Sequence, residues 1–81
     1  MMKTVWFSAK NGAQYWLRLN SAKSVFEFSC TPGKSGQEEF NYEIYPSSLK
    51  NKIIMDQLLK AFGQEEFLLI EKSVTQHYLS K

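Results

Sequence analysis

Apolar and polar side chains alternate in short runs through the first part of the chain, whereas in the second part apolar residues recur every three or four positions. The first pattern marks strands with one buried face and the second marks amphipathic helices. Residues 3–9, 13–20, 24–30 and 40–45 are rich in aromatic and β-branched types and are separated by turn formers, so they read as four strands of an antiparallel meander. Pro46-Ser47-Ser48 ends the last strand, because proline cannot continue a ladder and a serine hydroxyl caps free amides. A helix is expected over 48–62, stopping at Gly63, with Ile54, Met55, Leu58, Leu59 and Phe62 as its buried stripe. Leu49 and Ile53 project from the polar side of that wheel, where a lone subunit leaves them wet. Over 64–81, helical spacing aligns Phe67, Ile70, Val74 and Tyr78, and Glu65 and Glu66 suit a helix start. A strand built on Phe67-Leu68-Leu69-Ile70 is the alternative. The expected fold is therefore α+β in the order ββββαα, with ββββαβ as the second form.

Register decides which strand residues face the core. The connection Lys10-Asn11-Gly12 allows two geometries. A three-residue loop with Gly12 in a bulge sets Phe7 opposite Tyr15 and Trp6 opposite Trp16. A two-residue Asn-Gly turn shifts the pairing and turns strand 1 over, bringing Trp6 beside Leu17. The three-residue loop is favoured here, because it gathers Val5 and Phe7 with Tyr15, Leu17 and Leu19 on one face. In the second hairpin a four-residue loop over 21–24 pairs Asn20 with Val25, Arg18 with Glu27, and Leu17 and Leu19 with Phe28 and Phe26, so charge and packing agree. Phe26, Phe28, Cys30, Phe40, Tyr42 and Ile44 complete the expected core face. Trp6, Trp16, Arg18, Val25, Glu27, Asn41, Glu43 and Tyr45 fall on the other. The connection 31–39, with Pro32, Gly33 and Gly36, is the longest and is expected to be the most mobile.

With 81 residues, 43% of them apolar, the chain has room for one domain, 1–81, and too much apolar content to be a disordered tail. No apolar run is long enough to cross a bilayer, and the start lacks the features of a secretory signal; one cysteine makes no internal disulfide, so a cytoplasmic location is expected. Ten Lys plus Arg against eight Asp plus Glu leave a net charge of +2, without the basic stripe that most nucleic-acid binders use.

Reactive groups are sparse. Cys30 falls on the core face, where a thiol is inert, and the lone His77 sits near a chain end, far from it in sequence. That leaves no nucleophile with a base and an orienting third group, no zinc spacing, and no cofactor motif. Gly33-Lys34-Ser35 lacks the spacing of a phosphate-binding loop, since Phe28 stands where a glycine is needed. A helix-turn-helix around Gly63 fails because its second helix begins Glu-Glu and is apolar around much of its circumference.

What stands out is apolar surface left over once the core is filled. Trp6, Trp16, Arg18, Tyr45, Leu49 and Ile53 are the expected partner-contacting residues, since tryptophan, tyrosine and arginine dominate protein contacts. The expectation is a non-enzymatic protein-binding module, an adaptor, regulator or stoichiometric inhibitor that also pairs with itself as a homodimer. The alternative is single-stranded nucleic-acid binding through the same aromatic and basic sheet face, with bases on Trp6 and Trp16 and cations along the backbone. In element order the chain resembles small single-strand-binding folds of the Pur-α type, which implies the same alternative.

Overall fold

The computed structural model describes residues 3–33 and 38–80. Four antiparallel strands form one open sheet in the order β1-β2-β3-β4: β1 is Val5–Lys10, β2 Ala13–Asn20, β3 Val25–Thr31 and β4 Phe40–Ile44. A short 3-10 turn, Pro46–Lys50, leads into α1, Lys52–Phe62, and then α2, Gln64–Leu79. The fold is α+β of ββββαα order, as expected, and the last segment is helix and not strand. Its buried residues Phe67, Ile70, Val74 and His77 follow the helical spacing. The expected mobility of the 31–39 connection falls partly on Lys34 to Gln37, outside the described residues.

The first hairpin takes the geometry that the sequence reading did not favour. Asn11 and Gly12 both adopt positive φ, 54° and 81°, and Lys10 pairs with Ala13 across a two-residue turn. Two consecutive positive-φ residues match the right-handed strand twist, and Asn-Gly is the dipeptide that tolerates them best. This turn sets Trp6 against Leu17 and Phe7 against Trp16. Strand 1 is consequently turned over. Trp6 is 3% exposed, whereas Val5 and Phe7, expected inside, are 52% and 49% exposed.

The second hairpin has the expected register, with Asn20 opposite Val25 and Arg18 opposite Glu27. The Asn20 side-chain carbonyl accepts from the amides of Ala22 and Lys23, at 3.1 and 3.2 Å, which closes the turn. The expected Arg18–Glu27 ion pair does not form among the described residues; Glu27 accepts from the Asn20 amide at 3.3 Å.

Three rows of cross-strand partners build the inner face: Leu19, Phe26 and Ile44; Trp6, Leu17, Phe28 and Tyr42; Tyr15, Cys30 and Phe40. The helices close over them. Leu58 and Ala61 of α1 and Phe67, Ile70 and Val74 of α2 join these rows in one core. At roughly 25 cal/mol per Å², burying such side chains is the main term favouring the fold. Trp6 enters this core with its polar edge satisfied, since the indole Nε1–H donates to Glu66 Oε2 at 2.8 Å.

Helix α1 starts later than expected. Ser48 Oγ accepts from the Tyr45 amide at 3.0 Å within the 3-10 turn, and Asn51 caps the helix, its Oδ1 accepting from Ile53 N at 2.9 Å. Leu49 therefore lies outside the α-helical wheel on which it was placed and is 5% exposed in the core, a correction to its expected wet position. Ile53, in the first turn of α1, stays 66% exposed. Gly63 alone joins the two helices at φ 86° and ψ 169°, a conformation reserved for glycine. No helix among the described residues is long and apolar enough to cross a membrane.

Candidate protein-contact face

The side of the sheet turned away from the helices is organised as three cross-strand rows. The first runs Val5, Arg18, Glu27, Glu43; the second Phe7, Trp16, Ser29, Asn41; the third Ala9, Gln14, Thr31. Alternation of side chains along each strand puts all of these on one surface, and no described element packs over it. Apolar bulk is concentrated at the β1 and β2 end. Phe7 and Trp16 meet with ring centroids 4.4 Å apart, tilted by 51°, and Val5 lies in the next row. Trp16 is 37% exposed. Beside it Trp16, Arg18, Ser29 and Thr31 line a shallow depression of about 240 Å³.

Charge is concentrated at the other end. Glu27 and Glu43 are direct cross-strand partners, an arrangement that repulsion disfavours unless a cation is near. Arg18 flanks Glu27 on one side. On the other, the Tyr45 hydroxyl donates to Glu43 Oε1 at 2.8 Å, and that carboxylate holds the Tyr45 phenol above its ordinary value.

The structure thus divides the six residues singled out from the sequence. Trp16 and Arg18 lie together on the outer face, and Tyr45 is exposed just beyond the end of β4. Ile53 is exposed on α1, in the helix layer. Trp6 and Leu49 are core residues and are withdrawn from the contact set: the two-residue turn drove the first inward and the 3-10 turn the second. Val5 and Phe7 were missed because the favoured register placed them inside. The Asn-Gly dipeptide was the signal that located them.

The reactive side chains do not converge. Cys30 is buried beside the Tyr15 hydroxyl, and burial pushes both groups above their ordinary values, against the opposing pull of Tyr15 and Lys60 on the thiol. His77 is held at the other end of β3, where its Nε2–H donates to the Ser24 carbonyl at 2.8 Å and its ring meets Phe26 edge-on. The strand positions they touch, Cys30 and Phe26, are roughly 13 Å apart at about 3.3 Å per residue. Among the described residues no group of three or more His, Cys, Asp or Glu side chains is placed to hold a metal ion.

Comparison with known proteins returns no matching family model, no matching curated protein and no matching solved structure.

Proposed function

We propose that this chain is a non-enzymatic protein-binding module, an adaptor, regulator or stoichiometric inhibitor, working through the outer sheet face. One observation carries the reading: Val5, Phe7 and Trp16 form an apolar cluster, about half exposed, on a sheet face that no described element covers. Antiparallel sheets often leave one face to water, but that face is then polar. The exposed leucines of α2, Leu68, Leu69 and Leu79, are instead interspersed with Glu65, Lys72 and Gln76, as on an ordinary solvated helix.

The chemistry of the face describes its partner. Glu27 and Glu43 together outweigh Arg18 in the first row, so the partner presents an apolar centre for Phe7 and Trp16 with a lysine or arginine over Glu43. The test is nuclear magnetic resonance on isotopically labelled protein added to cell extract and, separately, to oligonucleotides at low ionic strength. Perturbations centred on Val5, Phe7, Trp16 and Glu43 in extract, lost in Phe7→Ser, support the reading. Changes confined to the helices, or none, overturn it.

Trp16 and Arg18 also line one depression together, and an aromatic ring beside a cation is the makings of a single-strand platform. Two carboxylates in the same row oppose phosphate there. Salt-sensitive quenching of Trp16 fluorescence by oligonucleotides, with no response to extract protein, would replace the protein reading with this one.

A further inference from the structure

The two edges of the sheet are protected unequally. Strand β4 is short, carries Glu43, follows Glu38 and Glu39 and runs into Pro46, all features that discourage pairing with another strand. Strand β1 has no proline and no charge from Val5 to Ala9. Its hydrogen-bonding direction follows from its ladder. Leu19 N donates to Thr4 O at 2.9 Å, so Thr4 and Leu19 are a hydrogen-bonded pair; by alternation so are Trp6 with Leu17, Ser8 with Tyr15 and Lys10 with Ala13. The amides and carbonyls of Val5, Phe7 and Ala9 therefore point away from the sheet. A groove of about 290 Å³ runs there, lined by residues from both faces of β1 and none of β2, with Ala61, Phe62 and Glu66 as its inner wall. The helices leave this edge open.

We propose that two copies of the chain pair antiparallel through β1, about a twofold axis at Phe7, joining their two sheets edge to edge. The inference rests on the protein-contact reading and names a second copy as one partner. Side-chain alternation and the outward groups select the register. Pairing Phe7 with Phe7 of the other copy, and Val5 with its Ala9, matches every outward amide to an outward carbonyl. A shift of two residues in either direction leaves some of them unpaired.

The same register is favourable for side chains on both faces. On the outer face the two Phe7 rings become neighbours, with a Trp16 behind each, so the two apolar clusters merge into one. On the inner face Lys10, whose Nζ donates to Lys60 O at 3.1 Å across an exposed contact within its own copy, comes opposite Thr4 of the other copy, one pair along from Trp6 and hence within reach of Glu66, which already accepts from Trp6 and pairs with Lys3 at 3.4 Å. Symmetry repeats this Lys10–Glu66 complementarity; a slip that carries Lys10 past Thr4 breaks it, and the opposite slip, which sets Lys10 against Trp6, brings Val5 against the Asn11 turn.

Hydrogen exchange of the full chain across a dilution series, with sedimentation velocity on the same samples, tests this directly. Within one copy the amides of Trp6 and Ser8 are protected and those of Val5, Phe7 and Ala9 are not. The expected result is a dimer at high concentration in which the latter three exchange about tenfold or more slowly than in the dilute sample. Ala9→Pro removes one outward donor at a position where an edge strand tolerates proline, and Phe7→Lys sets two cations face to face. Each should raise the dissociation constant about tenfold or more with β1 still folded, as read from Trp6 and Ser8 protection; Leu68→Ser, on α2, should not.

A dimer whose Val5, Phe7 and Ala9 amides exchange freely overturns the edge pairing and leaves the outer-face reading standing. A monomer at every concentration also overturns it, and the extract experiment above then judges that reading separately. Protection that appears only when another protein is added overturns the second copy as occupant.

Discussion

The two tryptophans of this chain occupy opposite faces of one sheet, and their surroundings separate a covered face from an open one. Trp6 is sealed between sheet and helices, its indole N–H satisfied by Glu66 and its ring 6.5 Å from Phe26. Trp16 rests on Phe7 with no described element above it. The first stabilises the subunit. The second contributes little to folding and is available for contact.

Substitution should separate them. Trp6→Ala opens a large cavity and leaves Glu66 without its indole donor, and is expected to cost about 3–5 kcal/mol in denaturant unfolding. A loss below about 1 kcal/mol would mean that the inner face is not the core described. The inner face exists only while both helices cover it, and Gly63 sets their angle. A Cβ there meets nothing within 4 Å, so Gly63→Ala isolates the backbone cost of a positive φ, about 1–3 kcal/mol on the same measurement. Trp16→Ala removes one aromatic pair at a partly wet site and should cost about 1 kcal/mol, while weakening any contact through the outer face far more.

Alkaline titration distinguishes the faces by chemistry. Burial raises Cys30, Tyr15 and Tyr78 on the inner side above the values they take when unfolded, 9.0 for the thiol and 10.0 for the phenols. Above pH 9 the unfolded chain sheds these protons before the folded one does, so it binds fewer. Their stabilisation is therefore intact below pH 9 and declines as pH rises towards and through the folded values. Melting temperatures that stay flat between pH 8 and 11 would contradict the burial of these groups. The smallest effect on a single copy is expected for Glu66→Gln, which keeps an acceptor for Trp6 and within that copy loses an exposed ion pair with Lys3, a change within about 0.5 kcal/mol in denaturant unfolding of the dilute protein.

The sequence carried the element order and the second hairpin clearly, because Arg18, Glu27, Leu17 and Phe28 agree on a single pairing and a slip would bury a charge. It carried the first hairpin poorly. Val5-Trp6-Phe7 is apolar at three successive positions, so both parities offer a greasy face and pattern cannot choose between them. Only the turn decides, through the positive φ of Asn11 and Gly12. Leu49 was misplaced for a related reason: a helical wheel assumes a continuous helix, and Asn51 interrupts it by capping α1 anew. The candidate site inherited both errors. Trp16 and Arg18 were legible because the β2–β3 hairpin pairs in only one way; Val5 and Phe7 became visible only through the β1–β2 register.

That ambiguity in β1 has an evolutionary corollary. Were the bend to take in Lys10 as a third residue, at unchanged chain length, the leading segment would rotate by half a revolution, hiding Val5 and Phe7 and baring Trp6. Descendants of this protein whose bend residues favour the wider loop over the Asn-Gly turn should thus recognise different surroundings, even where every remaining position is the same.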